Sequence, residues 1–142
     1  MPPSDHASKS PLALLSESGA FPKAARVRQR REFLTIQKKG LRVHTGCFTV
    51  VALISEKQTR PRLGCVVSKR VGNAVIRSRV RRMLRECFRR MQHHLSIVDF
   101  VVIAKPHASQ RALNGLDDVA VDLIPAILKA EQRVQKKREG TA

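Results

Sequence analysis

The chain has 142 residues, and its 28 Lys and Arg against 11 Asp and Glu give a formal net charge of +17. That length suits one domain with a modest core, and the charge argues for an anionic partner, nucleic acid first. No apolar run approaches the ~20 residues of a membrane-spanning helix. The N-terminal stretch lacks the basic segment and long apolar core of an export signal, so a cytoplasmic protein is expected.

Residues 1–24 are rich in Pro, Ser and Ala without a sustained period, and read as a disordered extension ahead of a domain over 25–137. The run RQRREFLTIQKK at 28–39 predicts a short basic helix that groups Phe33, Ile36 and Gln37, with Gly40 as its stop. GCFTVVALI at 46–54 is rich enough in Val, Ile and Phe for a strand covered on both faces. A polar turn follows, then a second strand in RLGCVVS at 62–68, with 41–45 adding a short strand before Cys47.

Residues 68–90, SKRVGNAVIRSRVRRMLRECFRR, write two surfaces onto one helix. Ile76, Val80, Met83, Leu84, Cys87, Phe88 and Met91 recur with the period of a single face, which should be buried. Arg81, Arg82, Arg85 and Arg89 oppose them with Ser78 among them, and Arg77, Arg79 and Arg90 flank. Arginines four residues apart repel and weaken an isolated helix, a cost that a polyanion would offset. Asn73 suits the N-cap and Gly72 a tight turn, with Lys69 and Arg70 just before it, so the helix start can hold phosphate. The nucleotide-loop spacing G-x-x-x-x-G-K-[ST] is absent.

Residues 97–104, IVDFVVIA, predict another strand, and 117–137 a final helix with Val119, Ala120, Leu123, Ile124, Ile127 and Leu128 inward. Pro125 predicts a kink there or two abutting helices, and 138–142 a frayed tail. The order is α-β-β-β-α-β-α, an α+β domain with helices packed on one face of a small sheet. Phe48, Phe88 and Phe100 are assigned to the core. Cys47, Cys65 and Cys87 are widely spaced in apolar patterns and read as buried free thiols.

The segment SKRVGNAVIRSRVRRMLRE, between the strand RLGCVV and DFVVIAK, closely resembles the protein subunit of bacterial ribonuclease P. That family's signature, K-(K/R)-x-G-x-A-V-x-R-N-R-x-(K/R)-R-x-x-R, is matched by Lys69, Arg70, Gly72, Ala74, Val75, Arg77, Arg79, Arg81, Arg82 and Arg85. The resemblance covers about residues 28–128. It implies an α-β sandwich with a mixed sheet and a left-handed βαβ crossover, which general topology rules would not give. It also implies a chain without catalytic residues or an obligate protein partner. A catalytic RNA with bound Mg²⁺ would remove the 5′ leader of precursor tRNA, the metal activating water and stabilising the leaving oxygen.

By the family pattern, RNA binding falls to Lys69, Arg70, Arg77, Ser78, Arg79, Arg81, Arg82 and Arg85. Leader binding falls to Phe33, Thr49, Val51 and Lys105, in a cleft between the sheet and the first helix. The chain departs from the pattern at Ser78, where the family usually has Asn, and at Gln37, where a second aromatic often stands. Thr49 and Val51 lie where an aromatic can occur, and Pro106 replaces a frequent basic residue. With no Tyr or Trp in the chain, and base stacking worth ~1–3 kcal/mol per base, the leader should be held more by charge and shape.

Blander readings weigh against some of these residues. Phe33 is as readily a core residue as a leader contact. The adjoining His93 and His94 are a polar helix end rather than a catalytic or metal pair. Glu86 is an intrahelical partner for arginine, and Asp117, Asp118 and Asp122 favour the first turn of the last helix, instead of serving with Asp99 as nuclease carboxylates. The alternatives from other classes are a structural RNA-binding protein of the ribosomal kind and a membrane-surface protein carrying a basic amphipathic helix.

Overall fold

A computed structural model describes residues 21–55 and 57–141. The elements are α1 (Arg30–Lys39), β1 (Leu41–His44), β2 (Phe48–Ile54), β3 (Arg62–Val66), α2 (Ala74–Met91), β4 (Val98–Ala104), α3 (Ala108–Asn114) and α4 (Leu116–Thr141). The strands form one mixed sheet in the order β1-β2-β4-β3. β1 and β4 run antiparallel to β2, while β3 and β4, joined through α2, are parallel.

The two central strands are buried nearly throughout, because helices cover both faces of the sheet. This corrects the expectation of helices on one face. Against one face, α2 and α4 pack their apolar sides on Phe48, Val50, Phe100 and Val102. Val80, Leu84, Cys87, Phe88 and Met91 form the buried stripe of α2, with Ile76 and Met83 only partly buried at its margin. On the other face α1 lays Ile36 over Val51 and Val101 in a smaller cluster. Phe48, Phe88 and Phe100 are fully buried, and Phe88 meets Phe100 edge to face at 6.0 Å. All three cysteines are free thiols, Cys47 and Cys87 buried and Cys65 half-buried.

The described fold reaches further toward the N-terminus than composition indicates. Phe21 packs edge to face on Phe88 at 5.9 Å, and Lys23–Ala25 forms a 3-10 turn. The chain then bridges β3: Arg26 pairs with Leu63, and the Val27 N–H donates to the Leu63 carbonyl at 2.9 Å. This covers part of an edge strand that would otherwise invite intermolecular pairing. Residues 1–20 of the expected extension lie outside the described residues.

Helix α4 is continuous from Leu116 to Thr141 with Pro125 inside it, so no second helix begins there, and the expected frayed tail is helical to Thr141. Pro125 is exposed, so solvent can serve the carbonyl that loses its donor. The break falls earlier, at Gly115, whose φ of +122° ends α3. Helix α3 escapes sequence analysis because its buried residues are only Ala108 and Ala112, too small to write a strong apolar period.

Candidate nucleic-acid interface

Helix α2 starts as its sequence dictates. The Asn73 side chain accepts a hydrogen bond from the Ile76 N–H at 3.0 Å. Gly72 has a φ of +156°, where a Cβ would also lie 2.9 Å from Ile76, so this turn requires glycine. Lys69 and Arg70 are exposed on it, and Ser78, Arg79, Arg82 and Arg85 are exposed along the helix, with Arg77 and Arg81 half-buried. All eight residues assigned to RNA thus reach solvent in one continuous stretch.

One of the arginines has structural work as well. The Arg79 Nε donates to the Ala112 carbonyl at 3.0 Å, fastening α2 to α3. The Arg77 Nε is buried without a hydrogen-bond partner.

Ser78, Arg81, Arg82, Arg85 and Arg89 gather around a pocket of about 410 Å³ that Phe21 and Arg26 complete. Sequence analysis missed those last two. The guanidinium of Arg26 sits 5.0 Å above the Phe21 ring, a cation–π geometry, and its Nη2 donates to the Phe21 carbonyl at 3.3 Å. Its Nε is buried without a partner. A lone Phe inside a Pro/Ser/Ala-rich stretch was the one available signal.

The acid on this surface, Glu86, is already occupied. Arg89 donates to it at 2.7 Å and Arg90 at 2.8 Å, and these bonds, Arg89 first, hold its carboxyl down at about 2 against an opposing burial effect. The remaining arginines therefore face solvent without a competing carboxylate from this helix. Burial pushes the nearby Cys65 thiol up to about 11, although Arg85, Arg81 and Arg26 oppose it, so the thiol is protonated at neutral pH and is no nucleophile.

The residues assigned to the leader are placed less uniformly. Phe33 is half-buried and lies close enough to β3 that a Cβ on Gly64 would meet its ring at 2.6 Å. It borders a part of the sheet face formed by Val66 and Ile103. Thr49, opposite Ile103 in register, shares that face, but it is buried and its hydroxyl bonds the Nδ1 of His44 at 3.1 Å. Lys105 is half-buried and donates from Nζ to the Thr45 carbonyl.

Val51 does not belong to a binding surface. It is fully buried, and a Cβ on Gly40 would stand 2.6 Å from it; the helix end seals it into the core beneath α1.

On the opposite flank of α1, a buried ion network anchors the helix to the sheet. Arg62 forks onto Asp99 with two hydrogen bonds of 2.8 Å and reaches Glu32 at 2.9 Å. The Asp99 fork raises the Arg62 pKa above the ordinary arginine value despite the burial that opposes its charge. Both partners are more than nine-tenths buried, so each depends on the other.

His93 and His94 are exposed on the 3-10 turn after α2. Among the described residues, no three His, Cys, Asp or Glu side chains come together as a metal-binding group, and no helix is long and apolar enough to cross a membrane.

Fold and surface together define a small α+β protein built around an arginine-faced helix between parallel strands. A family model described as Ribonuclease P matches residues 21–127. The "Ribonuclease P protein component" of Desulfovibrio desulfuricans is 40% identical over 109 residues, covering 75% of this chain and 83% of the relative. That of Shouchella clausii is 43% identical over 84 residues, covering 58% and 69%.

The solved RNase P protein of Staphylococcus aureus superposes with a TM-score of 0.67 at 32% identity, covering 77% of this chain and 99% of that one. The Thermotoga maritima protein gives 0.61 at 31% identity, covering 76% and 96%. The chain belongs to the ribonuclease P protein family, as a protein component of that enzyme.

Proposed function

We infer that this chain acts in ribonuclease P as an electrostatic and substrate-recognition partner, not as the source of the chemistry. Its arginine surface on α2 lies against the catalytic RNA, and the Phe33 side of α1 takes the single-stranded 5′ leader of precursor tRNA during its endonucleolytic maturation in the cytoplasm. The observation that carries this reading is the α2 surface. One acid stands among its arginines, and two of them already neutralise it, which leaves a surface suited to phosphates.

The acids of the α2 surface and of the α1 flank do not suit Mg²⁺. Glu86 is clasped by Arg89 and Arg90, and Glu32 and Asp99 are held by Arg62. We therefore assign the catalytic metal to the RNA. The leader site in this reading is Phe33 with Lys105 and the rim of Thr49, and Val51 is excluded from it.

Cleavage of 5′-labelled precursor tRNA at low Mg²⁺ tests the reading, with catalytic RNA alone, RNA plus this protein, and protein alone. Stimulation of the RNA by an otherwise inactive protein is the expected result. Activity from protein alone would move catalysis into the chain, and binding without stimulation would favour a general RNA-binding role.

A further inference from the structure

Helix α1 divides its sheet face into two. Phe33 and Gln37 border the half that carries Val66 and Ile103; Arg31, Thr35 and Lys39, on the other flank at helical spacing, border a separate cleft of about 720 Å³. This cleft opens where β2 ends and β3 and β4 begin, and the packed cluster of Ile36, Val51 and Val101 lies between the two halves. Its volume is that of a ligand site.

The floor is aliphatic, built from Ile36, Leu41, Leu53, Ile54 and Val134. Its innermost cation, Arg62, is fully engaged by Asp99 and Glu32, so the floor presents no unsatisfied charge. Cations stand around the rim from three elements distant in sequence: Arg31 and Lys39 on α1, Lys57 in the β2–β3 turn, and Lys137 and Arg138 on α4. Arg31, Lys39 and Lys57 by themselves outweigh the single net negative charge of the Arg62, Glu32 and Asp99 group. Along α1 the polar positions Arg31, Thr35 and Lys39 recur every four residues, about 6 Å apart.

We propose that this cleft is a second subsite for single-stranded RNA, on the opposite flank of α1 from the Phe33 side. An apolar floor beneath a cationic rim matches a strand that lays its bases inward and its phosphates outward. Without an aromatic in its lining, the cleft holds bases by aliphatic contact, so it is tolerant of sequence and sensitive to salt. Because α1 stands between the two halves, a strand occupying both must pass around the helix; otherwise two strands bind. The proposal rests on the preceding reading only in taking RNA as the anion.

The test is a titration of the ¹⁵N-labelled full chain with a single-stranded adenylate hexamer at low salt, following backbone amides. Saturable shifts of Thr35, Lys39, Leu53 and Ile54, together with those of Arg82 and Arg85, are expected. The double variant K39E/K57E, altering two exposed side chains, should lose the first set, keep the second, and lower the salt slope of hexamer binding by about 1.4 at ~0.7 per phosphate. K39R/K57R should restore the first set and the slope.

Shifts on α2 with a silent cleft would overturn the proposal while sparing the RNA-binding reading, and silence at both would sink the two together. A glutamate hexapeptide that shifts the cleft amides where RNA does not would reassign the cleft to an acidic protein.

Discussion

Neutralising the α2 arginines should flatten the salt dependence of RNA binding. Arg82 and Arg85 are exposed and Arg81 is half-buried beside Cys65, so the first two count as full phosphate contacts and the third as a partial one. At ~0.7–0.9 per contact, R81Q/R82Q/R85Q should lower the slope of log K against log salt by about 1.5–2.5. Between 50 and 200 mM salt, a fourfold range, the wild type should therefore lose roughly 8- to 30-fold more affinity than the variant.

Fluorescence anisotropy of labelled catalytic RNA across a potassium chloride series measures this directly. The control is K129Q/R133Q, which removes two charges from exposed positions of α4 outside both clefts and should leave the slope within ~0.5 of wild type. A triple variant with an unchanged slope, or a control that falls as far, would refute the assignment of phosphates to the α2 surface.

Three further outcomes follow from the geometry. Phe33→Leu keeps apolar volume over Gly64 but removes the ring; it should weaken precursor tRNA by ~1–3 kcal/mol in competition binding and leave mature tRNA unchanged. Equal losses for both RNAs would return Phe33 to the core. Asp99→Asn breaks the buried fork on Arg62 and should cost about 3 kcal/mol in urea unfolding, the low end of ~3–5 because Glu32 remains; a loss below ~1 kcal/mol would show the network to be dispensable.

Glu86 has a folded pKa of about 2 against an ordinary 4.5. Its contribution is thus complete above pH 4.5 and vanishes as pH falls toward 2. Being partly exposed, it should be modest. The difference in unfolding midpoint between wild type and Glu86→Gln should shrink over that window, and a constant difference would contradict the pairing.

The amino-acid sequence by itself determined helix α2, its buried stripe, its N-cap and its arginine surface, because all of these are written in local period and turn chemistry within some twenty consecutive residues. The strands were equally legible from runs of β-branched residues. Which partner each face meets is a different kind of information. Only the tertiary structure put α1 across the sheet from α2 and α4, sealing Val51 under Gly40 and dividing the face that should hold the leader.

Packing also brought Arg26 and Phe21 up to an α2 pocket more than fifty residues away, and joined Arg62 to Asp99 across adjacent parallel strands. A charged residue at a strand start looks solvated until its partner is known, since burying it is tolerable only with that partner in place. The same holds for the break at Gly115. Pro125 carried the stronger local signal, but an exposed proline leaves its orphan carbonyl to water, and the chain turned where a positive φ was needed. Local chemistry selects the elements and the charge they carry; long-range packing decides which of those charges remain free to meet a nucleic acid.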